Sequence, residues 1–176
     1  MRVIQTNQVP AQLIEDVVTH IQLLQEKVKE LYNKHIKIVE IDFKKRGKVA
    51  GTCTYYNSGA AFTISLNAVL LNENTYDFIY RTVTHEFAHA VDYVVNGNWG
   101  HSKTWKHIMS LFGADNARCH SYDTTNSTVR KLKRNFIYKC NCSEHKLTKI
   151  RHNRVLNGTD YYCSKCKNIL EFVKEI

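Results

Sequence analysis

Leu13, Ile14, Val17, Val18, Ile21, Leu24, Val28 and Leu31 recur at the spacing that lines one face of an α-helix, with Pro10 just ahead of them. The pattern predicts a core-packing helix over residues 11–33. From Ile36 the texture changes to short β-branched and aromatic runs. Residues 36–43, 49–56 and 61–66 read as three strands, punctuated by Gly47 and by Asn57-Ser58-Gly59. Helical patterning returns over 67–95, where Phe78, Val83, Phe87, Val91 and Val94 give an apolar face. Asn74-Thr75 and Asp77 offer start signals there, and Asn96-Gly97-Asn98 a stop. A further helix is expected over 102–112, closed by Gly113. Residues 114–135 are polar and aperiodic, apart from a short helical stretch around 127–133. Beyond them, two cysteine pairs flanked by β-type residues over 136–173 suggest a small zinc ribbon. The whole reads as α+β: a core of helices plus a small antiparallel sheet, then a C-terminal ribbon.

Composition narrows the class of protein. With 176 residues the chain suits one compact domain and a small appendage, and 43% hydrophobic content is ordinary for a folded protein. No apolar run approaches the roughly 20 residues of a membrane-spanning helix. The start, Met1-Arg2-Val3-Ile4-Gln5-Thr6-Asn7, lacks the apolar stretch of a secretion signal, so a cytoplasmic location without a membrane partner is expected. Net charge is +9, and residues 129–176 carry 12 Lys and Arg against 4 Asp and Glu. Almost all the excess lies in that last quarter, which separates a basic module, 129–176, from a near-neutral core, 1–128. Such a concentration suits a polyanionic partner, nucleic acid first.

His85-Glu86-Phe87-Ala88-His89 brings candidate chemistry into the second helical region. Residues four apart share a helix face, so His85 and His89 can converge on one zinc while Glu86 stands at the adjacent edge. Zinc acidifies water and polarises a carbonyl, and a neighbouring carboxylate can act as general base. A catalytic zinc takes a third protein ligand and keeps one position open. His101, His107, His120 and Asp92 are the candidates. His101 is preferred because it follows the turn Gly97-Asn98-Trp99-Gly100 and opens the next helix. Asp92, one turn beyond His89, suits a supporting role; His107 suits an outer face, and His120 is the main rival. Trp105 could fix the His101 helix or simply anchor the core.

Cys140, Cys142, Cys163 and Cys166 form two tight pairs, the pattern of a closed structural zinc site in a reducing compartment, whereas Cys53 and Cys119 read as semi-buried reduced thiols. His145 could replace Cys142 as the fourth ligand. Around the pairs lie Lys146, Lys149, Arg151, His152 and Arg154, with Phe136, Tyr138, Tyr161 and Tyr162 nearby. The cations could neutralise phosphates; the aromatics could stack on unpaired bases or form the ribbon's own core. Two zinc ions, one catalytic and one structural, are thus expected.

Four stretches together resemble the SprT-like, or Spartan, zinc metallopeptidases, and most of all their short bacterial branch. The first runs from Arg46-Gly47 and Ala50-Gly51-Thr52 to Ile64-Ser65-Leu66-Asn67 and Leu70-Leu71. The second is Val83-Thr84-His85-Glu86-Phe87-Ala88-His89-Ala90, and the third His101-Ser102-Lys103-Thr104-Trp105-Lys106. The fourth comprises Tyr138-Lys139-Cys140-Asn141-Cys142, Leu147-Thr148, Arg151-His152-Asn153-Arg154 and Tyr162-Cys163-Ser164-Lys165-Cys166. The likeness spans residues 12–173. It implies a zincin-like peptidase core with His85, His89 and His101 as zinc ligands and Glu86 as catalytic base. It also implies a protein substrate and a role on DNA, since the Spartan branch degrades proteins trapped on DNA; the basic ribbon would favour single strands. Ser102 stands where the family usually has glycine, and Ala68 where proline often follows the asparagine. Two rival readings are a non-catalytic, zinc-stabilised nucleic-acid-binding protein and a general endopeptidase indifferent to DNA.

Overall fold

Apolar residues at helical spacing become α1 (Ala11–Tyr32), which buries Leu13, Ile14, Val17, Ile21, Leu24 and Val28 along one face. It ends at Asn33, whose left-handed backbone (φ 49°) returns its N–H to the Lys29 carbonyl. Leu31 stays exposed near that end. The structure, a computed structural model, describes residues 1–56, 61–128 and 132–176. Two units, Met1–Val129 and Arg130–Ile176, make up the chain, and the architecture is α+β.

In the first unit a four-stranded sheet has the order β1-β2-β4-β3, from β1 (Arg2–Val3), β2 (Lys37–Asp42), β3 (Gly51–Tyr56) and β4 (Ala61–Leu66). The expected antiparallel sheet is corrected here. Only β3 and β4 run antiparallel; β1–β2 and β2–β4 are parallel. After β2 the chain passes to the sheet edge, forms β3, and returns with β4 between them. β4 has both edges paired, and burial of Ala61, Phe62, Thr63, Ile64 and Leu66 without alternation shows that both its faces are covered as well. β3 pairs with β4 alone among the described strands and so leaves an edge. The turn expected at Asn57-Ser58-Gly59 lies outside the described residues.

The helical stretch predicted over 67–95 is three segments. α2 (Ala68–Asp77) starts at Asn67, not at Asn74 or Asp77, because the Asn67 side chain accepts from the Val69 and Leu70 N–H groups. Its amide also donates to the Val49 carbonyl (2.9 Å) and the Ser127 hydroxyl (2.7 Å), tying three loops together. A kink at Asn74 and a π-helical segment, Phe78–Val83, lead into α3 (Thr84–Asn96), which Gly97 closes at φ 70°. α4 (Lys103–Leu111) is capped by Ser102, whose hydroxyl accepts from Trp105 N–H at 2.9 Å.

The second unit is a three-stranded antiparallel sheet in the order β6-β5-β7, from β5 (Phe136–Lys139), β6 (Glu144–Leu147) and β7 (Glu171–Glu175). Phe136, Tyr138, Cys140, Leu147, Cys163 and Leu170 form its small core. Between the cysteine pairs the chain makes α5 (Lys149–Leu156), capped by Thr148, where β-type texture was expected. None of its residues is buried, so no apolar stripe announces it. The helical stretch expected around 127–133 falls partly on 129–131, outside the described residues. No described helix is long and apolar enough to cross a membrane.

Candidate metal centres

Phe87, Ala88, Ala90 and Val91 are fully buried and fix the rotation of α3 in the core. That rotation turns His85 and His89 to one side, where the loop after Gly97 returns His101. The three imidazoles stand almost equidistant: ring centroids are 5.0 Å apart for His85–His89 and 4.9 Å for each pair with His101. One ligating nitrogen from each lies within 4.8 Å of the others. His85 Nε2 and His101 Nε2 are 2.9 Å apart, a separation that calls for a shared proton or cation.

Burial drives the His85 pKa down to about 3, with help from His89, His101 and His120. Burial also takes His89 down to about 4, with His101 adding to it against the opposing Gly100 backbone and Asp92. His101 is lowered by burial and by Arg118 and Lys106. Three neutral imidazoles offering lone pairs to one point form a donor set that fits zinc. Trp105, fully buried, packs its ring 4.7, 5.3 and 4.6 Å from His85, His89 and His101 and restrains all three.

Asp92 lies outside the histidine cluster and supports it. Its fully buried carboxylate accepts from the Ser102 hydroxyl at 2.6 Å and from the Asn96 amide at 2.9 Å. Ser102 both follows His101 and caps α4, so this bond holds the His101 loop to α3. His120 is engaged elsewhere: Nε2 donates to the Lys48 carbonyl (2.9 Å) and Nδ1 accepts from the Tyr122 N–H (3.2 Å). His107 faces solvent. The Tyr122 hydroxyl donates to Asp77 at 2.8 Å.

Glu86 is 7% exposed and packs beneath the start of β3. A Cβ on Gly51 would lie 2.8 Å from Glu86 Cγ and 3.0 Å from Oε1, so glycine makes room for the acid. Burial raises the Glu86 pKa to about 7, against the opposing pull of the Cys53 N–H and Lys45. In turn, burial and Glu86 push the Cys53 thiol up. A cleft of roughly 690 Å³ opens over these groups, bounded by Gly51, Thr52 and Cys53 of β3, the three histidines, Trp99 and the segment from Arg118 to Tyr122. Neither Gly51 nor Trp99 was expected at the site from the sequence. Glycine inside a strand does signal a close approach, which could have singled out Gly51.

In the second unit the sulfur atoms of Cys140, Cys142, Cys163 and Cys166 all lie within 4.8 Å of one another. Cys140–Cys142 and Cys142–Cys163 separations are 3.5 and 3.6 Å, far beyond a disulfide bond, and all the cysteines are free. This set too can hold a metal, and its all-sulfur chemistry suits zinc. His145 Nε2 lies 3.2 Å from Cys140 Sγ and 3.2 Å from the Ser143 hydroxyl, beside the four thiols. Cys53 is half-buried, but Cys119 is exposed, unlike the semi-buried thiol expected.

Lys146, Lys149, Arg151 and Arg154 are exposed, and the Arg151 guanidinium lies 5.7 Å from the Tyr161 ring centroid. Phe136 and Tyr138 belong to the core, where the Tyr138 hydroxyl bonds His152 Nδ1 at 2.8 Å and His152 stacks on Phe136. Tyr162 is exposed.

The SprT-like family matches residues 21–130. Protein SprT of Proteus mirabilis (strain HI4320) is 33% identical over 177 residues, covering 97% of this chain and 99% of its own length. Protein SprT of Yersinia pseudotuberculosis serotype O:1b (strain IP 31758) is 36% identical over 151 residues, 82% of this chain and 84% of its own. Protein SprT of Escherichia coli O1:K1 / APEC is 37% identical over 131 residues, 72% and 74% respectively. By a match over more than half its length and by these relatives, the chain belongs to the SprT-like family.

Proposed function

We propose that this protein is a zinc-dependent metallopeptidase with a zincin-like core, acting in the cytoplasm on DNA-associated or DNA-crosslinked proteins. The observation that carries the reading is Glu86, buried beside three converging neutral imidazoles at the floor of a cleft. Zinc held by His85, His89 and His101 would supply Lewis acidity, acidifying water and polarising the scissile carbonyl. Glu86, with its pKa near 7, suits a group that takes a proton from water and returns it to the departing amine. The edge of β3 beside it offers backbone groups to an extended peptide.

The four thiols leave no ligand position open, so a zinc there is structural, and it staples a unit whose core is very small. Cations on and around α5 would take DNA phosphates, with exposed Tyr162 available to an unpaired base.

The test pairs a variant with a ligand. Purified protein is expected to hold two zinc ions and to cleave itself or a DNA-bound basic protein, faster with single-stranded DNA. Glu86→Gln should keep both ions and lose cleavage. Equal activity in that variant removes Glu86 as the base, and absence of cleavage by the wild type leaves the non-catalytic nucleic-acid-binding reading. Activity indifferent to DNA, and to substitution of Lys146, Lys149, Arg151 and Arg154, leaves a general endopeptidase.

A further inference from the structure

Trp99 and Trp105 are the two tryptophans of the chain, and they behave oppositely. Trp105 is fully buried behind the histidines, whereas Trp99 is 50% exposed and forms part of the cleft wall. An exposed indole normally indicates a mobile or incidental side chain, but this one is held. Its ring lies nearly parallel to Phe62 (11°, centroids 6.5 Å apart), edge-on to Tyr93 (84°, 5.8 Å) and 6.0 Å from the His89 ring. The loop that carries it is set by Gly97 and Gly100, both at positive φ. Aromatic neighbours thus fix the indole while half its surface stays in water, beside a candidate metal ligand.

We infer that Trp99 is a recognition platform for a bulky apolar or aromatic side chain of the peptide, seated next to the bond to be cleaved. The inference rests on the peptidase reading and names what that site selects. A pre-fixed ring loses little conformational freedom on contact, and an aromatic or aliphatic side chain laid on it removes apolar surface of both from water. An unpaired nucleobase could stack on the same ring. The peptide is favoured because Trp99 adjoins His89 and shares the cleft with the β3 edge, which can align an extended chain.

Binding and cleavage test this separately. Short peptides with a single Leu or Phe walked along a Gly-Ser background are titrated into zinc-loaded Glu86→Gln protein, and tryptophan emission is followed. Buried Trp105 supplies a steady background. One position of the apolar residue is expected to bind about ten-fold more tightly than the Gly-Ser peptide and to alter Trp99 emission. In otherwise wild-type protein the same position should lower KM. Trp99→Ala should collapse the ratio between the two peptides, and Trp99→Phe should keep most of it; zinc content is measured in both.

Equal binding of apolar and Gly-Ser peptides overturns the inference, whatever the variants do. An equal loss for both peptides in Trp99→Ala overturns it in favour of simple loop support. Emission that responds to a single-stranded oligonucleotide but to no peptide overturns it in favour of a base-stacking site. Selective binding without cleavage by the wild type would retire the peptidase and keep the platform; unselective cleavage would do the reverse.

Discussion

Gly51→Ala isolates the placement of Glu86 from its chemistry. The new methyl carbon would lie 2.8 Å from Glu86 Cγ and 3.2 Å from Cδ, where carbons ordinarily rest about 3.5–4.0 Å apart. Glu86 or the start of β3 must therefore yield by about 1 Å. Gly51 has no positive φ, so alanine fits its backbone and should recover about 0.4–1 kcal/mol from the unfolded state. Overpacking costs about 1–3 kcal/mol, which leaves at most about 2–3 kcal/mol of net loss. The core should still fold, with its melting point lowered by roughly 10 °C or less. A 1 Å misplacement of a catalytic group costs about 100-fold in rate. Cleavage of an unfolded protein substrate should fall by about that factor while zinc content stays at the wild-type level. Full activity would refute the claim that this contact positions a working base. Loss of zinc would show that the damage lies at the histidines instead.

Removing the Asp92 carboxylate with Asp92→Ala leaves the Ser102 hydroxyl and Asn96 amide without their acceptor; metal affinity at the histidines should drop about ten-fold or more, read by competition with a chelator, and unchanged affinity would break the proposed tie. In metal-free protein, folding holds His85 near pKa 3 and His89 near 4 against an ordinary 6.5. The unfolded chain therefore binds more protons below 6.5, and their stability contribution is present above that pH and lost as pH falls toward 3–4. Urea titrations of the metal-free core should show this slope, and a flat profile from 6.5 to 4 would contradict it. Cys142→Ser should lower zinc from two ions per chain to one and unfold the second unit while the core keeps its melting transition; native mass spectrometry and calorimetry read both.

Legibility followed the length and period of each signal. α1 is plain because its apolar stripe is long and packs one face, and β2, β3 and β4 because β-branched runs are bounded by turn-forming residues. β1, only two residues long, carries no such run and was not expected. Strand order was not readable: β4 is apolar on both faces, which reveals burial but not its neighbours. α5 escaped because an exposed helix has no stripe; only its Thr148 cap marked it. His85, Glu86 and His89 could be grouped from the helical period, since four residues make about one turn. His101 needed the turn before it, and the structure separates it from His120 by grouping it with His85 and His89 while hydrogen bonds engage both His120 nitrogens. Gly51 carries a local signal, a glycine inside a strand, but its partner Glu86 lies 35 residues away. Trp99 takes its place in the cleft wall from packing on Phe62, Tyr93 and His89, which no local pattern reveals.

The π-helical segment has a bearing on how the run from α2 to α3 tolerates change in length. A wider turn of i→i+5 bonds commonly marks a single surplus residue within an α-helix. Here it stands between Leu70 and Leu71, which are locked in the core, and His85 and His89, which must look into the cleft. Each α-helical residue advances the side-chain direction by about 100°. Excising one residue from Phe78–Val83 would regularise the helix and leave both histidines facing the cleft, because the wide turn already absorbs the surplus; the same excision from α3 ahead of His85 would swing them by that angle. The bulge acts as a slack turn, taking up a change in length without altering the direction in which the candidate ligands face.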